Sequence, residues 1–83
     1  MDYEEWMNLA ISKTGALKDD SVFLVKDLFD GIRWRELGNG EKREFGRQFR
    51  IKVERGLIPG VVYIGKAQNN SAQYRKEQYN ESK

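Results

Sequence analysis

The 83-residue sequence predicts one small α+β domain, and three observations support this fold class. Two segments carry apolar residues at helical spacing, short runs between them are rich in β-branched and aromatic residues, and a turn signal near the end separates two strand-length segments. Two domains would leave each half too short to bury a core. We therefore assign one domain to residues 1–76 and expect a disordered tail at 77–83.

The first helix is predicted over residues 3–14. Asp2 and Glu5 have the spacing of a capping box, and Gly15 is a plausible C-terminal stop. One helical face collects the apolar residues of this segment, which are Tyr3, Trp6, Met7, Ala10, Thr14 and Leu17. This face is expected to enter the core.

The middle of the chain alternates short elements with one long helix. The run 22–25 predicts a short strand, 26–29 a helical turn, and 32–37 a short helix. A longer helix is predicted over 41–55, with Asn39 as a possible cap and Gly56 as its end. Its buried stripe consists of Phe45, Phe49 and Val53.

A β-hairpin is predicted at the end of the domain. Residues 61–64 form its first strand, with a weaker continuation over 65–68, and residues 72–76 form the second. The intervening Asn69-Asn70-Ser71 is a turn signal, because Asn tolerates positive φ. The resulting order is that of a mostly helical winged helix-turn-helix domain with a C-terminal β-hairpin wing, and its core would span 22–76.

The string FLVKDLF at residues 23–29 carries a resemblance to a known family. It is followed by matching positions in the rest of the chain, which are Trp34, Leu37, Arg43, Phe45-Gly46, Phe49, Gly65-Lys66, Asn70 and Tyr74. Over residues 22–76 the chain resembles DUF1413, a family of small proteins from Gram-positive bacteria and their phages. The resemblance implies no established activity, so it supports the fold more than a function.

The net charge of +2 hides a segregation along the chain. Residues 1–30 carry three basic and seven acidic side chains, whereas residues 31–83 carry twelve basic and six acidic ones. Such asymmetry is a recognised hint of contact with nucleic acid or a membrane surface.

The helix 41–55 presents its basic residues away from the buried stripe. Arg43, Arg47 and Arg50 fall on the face opposite Phe45, and this face suits a major groove, where Arg pairs with guanine or grips phosphates. Lys42 is expected to add a phosphate contact. The alternative is an ordinary solvated face, on which Glu44 and Glu54 pair with neighbouring basic residues.

The hairpin tip is the second candidate DNA contact. It carries donors and positive charge without an acidic residue, and its expected contacts are Lys66, Asn69, Asn70, Gln73, Arg75 and Lys76. The alternative is a soluble turn in which Asn69 and Asn70 serve geometry alone.

Other function classes are disfavoured by composition. The chain has no Cys and no His, so we expect no enzyme activity, no cofactor and no metal. It has no apolar run approaching the roughly 18 residues of a membrane span and an acidic N-terminus, so we expect a cytoplasmic protein that does not enter membranes. Trp6 and Trp34 are expected in the core.

Two functions remain open. The first is a DNA-binding regulator of transcription or replication in a bacterium, phage or other mobile element, with double-stranded DNA as its partner. The second is a protein-interaction module, such as an adaptor or a phage inhibitor of a host factor. In that case the helix 3–14 would use its outer acids Glu4 and Glu5 against a basic protein partner, or its apolar face in a homodimer.

Overall fold

The computed structural model describes residues 2–77, and this part of the chain contains three α-helices and a three-stranded antiparallel sheet. In chain order the elements are α1 (Tyr3–Gly15), β1 (Val22–Leu24), a 3₁₀ helix (Val25–Leu28), α2 (Gly31–Arg35), α3 (Asn39–Glu54), β2 (Val61–Lys66) and β3 (Ala72–Lys76). The predicted α+β class is therefore confirmed, and every predicted element is present within a few residues of its expected bounds.

The helix α1 begins as its sequence predicts. The Asp2 carboxylate accepts a hydrogen bond from the backbone N–H of Glu5 at 3.1 Å, which satisfies one of the free donors of the first turn. The helix runs one residue further than expected, because Gly15 is its last helical residue and Ala16 caps its end.

The apolar face of α1 packs against the chain's own core. Met7, Ala10 and Thr14 are buried, and Trp6 packs at the edge of the same cluster. The apolar face of α1 is therefore used within the chain, and a homodimer through the N-terminal helix stays a prediction.

The sheet has the strand order β1-β3-β2, so β3 pairs with both of its neighbours. Tyr74 in β3 lies opposite Phe23 in β1 and Tyr63 in β2. The predicted hairpin is confirmed, and Asn70 in its turn adopts a positive φ of 69°. The side chain of Asn69 accepts a hydrogen bond from the N–H of Ser71 at 3.1 Å, which fixes the turn locally.

The helix α3 starts earlier than predicted, and its cap is a different residue. Gly38, not Asn39, is the N-cap, and its N–H donates to the Glu41 carboxylate at 3.1 Å. This hydrogen bond lowers the pKa of Glu41. The helix ends at Glu54, and Gly56 follows with a φ of 73°, a conformation that favours glycine.

The core consists of the predicted apolar stripe of α3 and a cluster of aromatic side chains. Phe45, Phe49 and Val53 are all buried. Phe29 lies with its ring centroid 4.7 Å from Trp6 and 5.7 Å from Trp34, and the rings of Phe29 and Trp34 are nearly parallel. Both tryptophans are half-buried at the edge of the core rather than fully enclosed.

The prediction of a tail at 77–83 lies outside the described residues except for Glu77. The backbone N–H of Glu77 donates to the carbonyl of Gly60 at 2.7 Å. Glu77 therefore still belongs to the folded end of the hairpin.

Candidate nucleic-acid interface

The helix α3 carries its arginines in two different environments. Arg43, in its first half, is exposed and has no carboxylate within 4.0 Å among residues 2–77. Arg47 and Arg50, in its second half, each contact a glutamate of the same helix. The three arginines that the sequence groups on one face are therefore not equivalent.

Arg47 forms a bidentate ion pair with Glu44. Its Nε and Nη2 lie 3.1 Å and 2.7 Å from the two carboxylate oxygens. The side chain of Gln48 donates to the same carboxylate at 2.9 Å. These hydrogen bonds, that of Arg47 above all, lower the pKa of Glu44 to about 2. The pairing that the sequence left as an alternative is therefore present at Arg47.

Arg50 is held from two sides. Its Nε donates to Glu54 at 3.1 Å, and its guanidinium lies 4.1 Å from the centre of the Tyr63 ring in β2. A cation over an aromatic face at this distance is an attractive contact. Arg50 thus connects α3 to the hairpin, and a nucleic acid would have to compete with Glu54 for its guanidinium.

A cleft of about 680 Å³ lies between the first half of α3 and the tip of the hairpin, and we call it the tip cleft. Its polar wall consists of Lys26, Asn39, Lys42, Arg43, Asn69, Asn70 and Ser71. No aspartate or glutamate of residues 2–77 lines it. The fold therefore brings four of the predicted contact residues together, which are Lys42, Arg43, Asn69 and Asn70.

The other residues that line the tip cleft were missed from the sequence, and Lys26 and Trp34 are two of them. Lys26 comes from the 3₁₀ helix and Trp34 from α2, and both also line a neighbouring cleft of about 640 Å³ together with Lys42. Neither belongs to the α3 face or the hairpin, and only the tertiary fold brings them to this place. The one local signal for Lys26 as a contact residue was its basic side chain within the string FLVKDLF.

The outer side of the hairpin carries a separate group of predicted residues. Tyr74 packs its ring on Phe49 of α3 at 5.1 Å, so Gln73 and Arg75, the alternate residues of β3, point to the other face of the sheet. Arg75 pairs there with Glu77. Lys66 and Gln73 line a shallow depression with Gln68 and Asn69, and of these residues Asn69 also lines the tip cleft. Lys66, Gln73 and Arg75 do not join the face of α3.

Lys76 is not at the surface. Its side chain is buried, and Nζ donates to the carbonyl of Thr14 at 2.7 Å and to that of Leu17 at 3.5 Å. It therefore satisfies carbonyls at the C-terminal end of α1, where a positive charge is favourable. The prediction that Lys76 contacts DNA does not fit this geometry, because strand alternation turns it inward with Tyr74.

The chemistry available at the tip cleft is recognition of anions by hydrogen bonding. Lys and Arg supply charge, and Asn and Ser side chains supply further donors. Within residues 2–77, no group of three acidic side chains is placed to hold a metal ion. No helix in the same range has the length and apolar character to cross a membrane.

Comparison with known proteins identifies a solved structure with a similar fold and a matching protein family. No curated protein matches the chain. A solved structure described as "SCCmec type IV LP1413 - nucleic acids binding protein" is similar, with a TM-score of 0.71 and 23% sequence identity, over 96% of this chain and 92% of that one. This likeness shows a shared fold. Residues 8–76 match the family model "Domain of unknown function (DUF1413)", and the chain therefore belongs to the DUF1413 family.

Proposed function

We propose that this chain is a winged-helix protein that binds double-stranded DNA, with α3 in the major groove and the β2–β3 hairpin as its wing. The element order supports this proposal, because α2 and α3 are consecutive helices joined by a short turn and are followed directly by the hairpin. In helix-turn-helix proteins, the N-terminal residues of the second helix contact the base edges. Here that position is occupied by the first half of α3.

The tip cleft is the single observation that carries the proposal. Lys42 and Arg43 of α3 face Asn69 and Asn70 of the hairpin across a cleft whose described lining holds no carboxylate. Binding to phosphates derives most of its affinity from such unpaired cations, since they replace condensed counterions. The solved structure that shares the fold is described as a nucleic acids binding protein, which supports the same class of ligand.

The proposed roles differ along α3. Arg43 enters the groove and pairs with a guanine edge or a phosphate, Lys42 contacts a phosphate, and the hairpin tip follows the backbone. Arg47 and Arg50 contribute less, because each must first leave its glutamate. The protein acts by binding, without catalysis, as a regulator of transcription or replication in a bacterium or mobile element.

The proposal is tested by titrating a fluorescent mixed-sequence DNA duplex with the protein at several salt concentrations. The affinity of the wild type should fall as salt rises. Arg43→Gln should weaken binding about fivefold to tenfold near 0.1 M salt and reduce the salt slope by about 1, as expected for the loss of one phosphate contact.

Lys18→Gln is the matched control. It removes the same charge from an exposed residue in the loop after α1, which contacts the base of the hairpin rather than its tip. Affinity that is insensitive to both salt and Arg43→Gln would contradict the proposal. A stable complex with another protein, without affinity for DNA, would favour the interaction module instead.

A further inference from the structure

Lys26 occupies a place that neither the helix face nor the hairpin explains. It is exposed, it lies in the 3₁₀ helix after β1, and it lines the tip cleft together with Lys42 and Arg43. Three cations from two separate elements thus border one concave space. Like charges gathered around a cleft repel one another unless an anion lies between them.

The two carboxylates close to Lys26 in sequence are already engaged. Asp30 accepts a hydrogen bond from the backbone N–H of Ile32 at 2.9 Å. Asp27 accepts a hydrogen bond from the backbone N–H of Leu24 at 2.9 Å, and it lines the neighbouring cleft rather than the tip cleft. Lys26 itself has no carboxylate within 4.0 Å among residues 2–77. Its ammonium group is therefore free to contact a ligand.

The lining of the tip cleft is partly apolar, and the cleft has room for more than an ion. Besides its polar residues and Gly46, it is lined by Leu24, Val25, Trp34 and Ala72. The cleft volume of about 680 Å³ lies within the range of sites that enclose small organic groups, roughly 300–1,000 Å³. A sugar–phosphate unit matches this composition, because its phosphate needs cations and its deoxyribose offers apolar carbon atoms.

We propose that the tip cleft holds the sugar–phosphate backbone of one nucleic-acid strand, with Lys26 as a phosphate contact and Gly46 as the residue that keeps the cleft open. This inference rests on the proposed function and specifies where one strand lies. It adds a third contact element, the 3₁₀ helix, to α3 and the hairpin. It also gives Gly46, one of the two glycines of α3, a role in access to the site.

Gly46 allows an occlusion test that does not depend on removing charge. A Cβ placed on Gly46 would meet no atom within 4 Å outside its own helix, so the fold accepts a β-carbon at this position. Replacing a mid-helix glycine with leucine also favours the helix. Gly46→Leu should therefore preserve or raise the melting temperature while it fills the cleft and weakens duplex binding at least about tenfold.

Gly15→Leu is the matched control for this variant. Gly15 is the last residue of α1, away from α3 and the hairpin tip, and has the same open space around its Cβ position. In parallel, Lys26→Gln should weaken binding about fivefold to tenfold near 0.1 M salt and lower the salt slope by about 1, with Lys18→Gln as its control.

The outcomes separate this inference from the proposed function. If the wild type binds the duplex in a salt-dependent way but Gly46→Leu and Lys26→Gln bind equally well, the cleft is not the strand site and the proposed function stands. If the wild type does not bind the duplex at any salt concentration, both fail. Weaker binding by both variants, with unchanged controls, supports the inference.

Discussion

The basic side chains around the tip cleft differ from three arginines of α3 and β3 in what surrounds them. Lys26, Lys42 and Arg43 border a cleft that no carboxylate of residues 2–77 lines, and we call them the open set. Arg47, Arg50 and Arg75 each contact a glutamate, and we call them the held set. A helical projection therefore predicts the direction of an arginine side chain, but not whether its charge is free to bind a ligand.

Lys76 is a third case, because its charged group is buried inside the protein. Its replacement should have the largest effect on stability of the variants considered. Lys76→Met removes a buried hydrogen bond to the carbonyl of Thr14, so the free energy of unfolding should fall by about 1–3 kcal/mol. Urea denaturation measures this loss, with Lys66→Met as the exposed control. The affinity of the folded variant for DNA should equal that of the wild type. Unchanged stability with a weaker affinity would place Lys76 in the open set instead.

Glu44 allows a held cation to be converted into an open one. Glu44→Gln removes the negative charge of the Arg47 ion pair and one of its two carboxylate oxygens, so it should raise affinity for duplex DNA about twofold to fivefold, by freeing one cation. The measurement is a double-mutant cycle, in which Arg47→Gln should cost more affinity in the Glu44→Gln background than in the wild type. Equal costs in both backgrounds would show that the ion pair does not limit Arg47.

The same ion pair has a defined pH dependence. The pKa of Glu44 is lowered to about 2 from an ordinary value of 4.5, so the folded state favours the ionised carboxylate. Its contribution to stability is complete above pH 4.5 and is lost as the pH falls from there toward about 2. The acid unfolding curve of Glu44→Gln should therefore be shallower than that of the wild type in this window.

Tyr74 should show the smallest effect, and it tests the packing beneath the held Arg50. Its hydroxyl is buried and has no hydrogen-bond partner among residues 2–77, and burial raises its pKa to about 12. Tyr74→Phe should change the free energy of unfolding at neutral pH by less than about 1 kcal/mol, in the stabilising direction. Urea unfolding measures this change.

Above pH 10 the two proteins should diverge. The wild type loses stability as the pH rises from 10 toward about 12, because the unfolded tyrosine ionises first, whereas the phenylalanine variant lacks this loss. Identical alkaline unfolding curves would contradict the burial of the Tyr74 hydroxyl.

Much of the fold was predictable because its elements are encoded locally. The stripe of Phe45, Phe49 and Val53 defined α3, and the Asn69-Asn70 turn defined the hairpin. The inward position of Lys76 also had a local signal, since strand alternation places it on the side of Tyr74.

The composition of the tip cleft had no such signal. Lys26 and Arg43 lie far apart in the chain, and only the tertiary fold places both of them at one cleft. The partner of Arg47 was a different case, because the sequence allowed Glu44 to pair with a neighbouring basic residue but did not specify which one. The structure shows that this residue is Arg47, whose Nη2 lies 2.7 Å from the Glu44 carboxylate.

The central position of β3 has a consequence for how the protein folds. β1 and β2 do not pair with each other, so the sheet cannot form before β3 is available. Phe23 in β1 pairs with Tyr74 in β3, about fifty residues later in the chain. During synthesis the helices can form early, while both outer strands stay without a partner until β3 has emerged from the ribosome. Such non-local pairing slows folding. A chain interrupted before residue 72 would expose two unpaired strand edges, which favours aggregation over the native state.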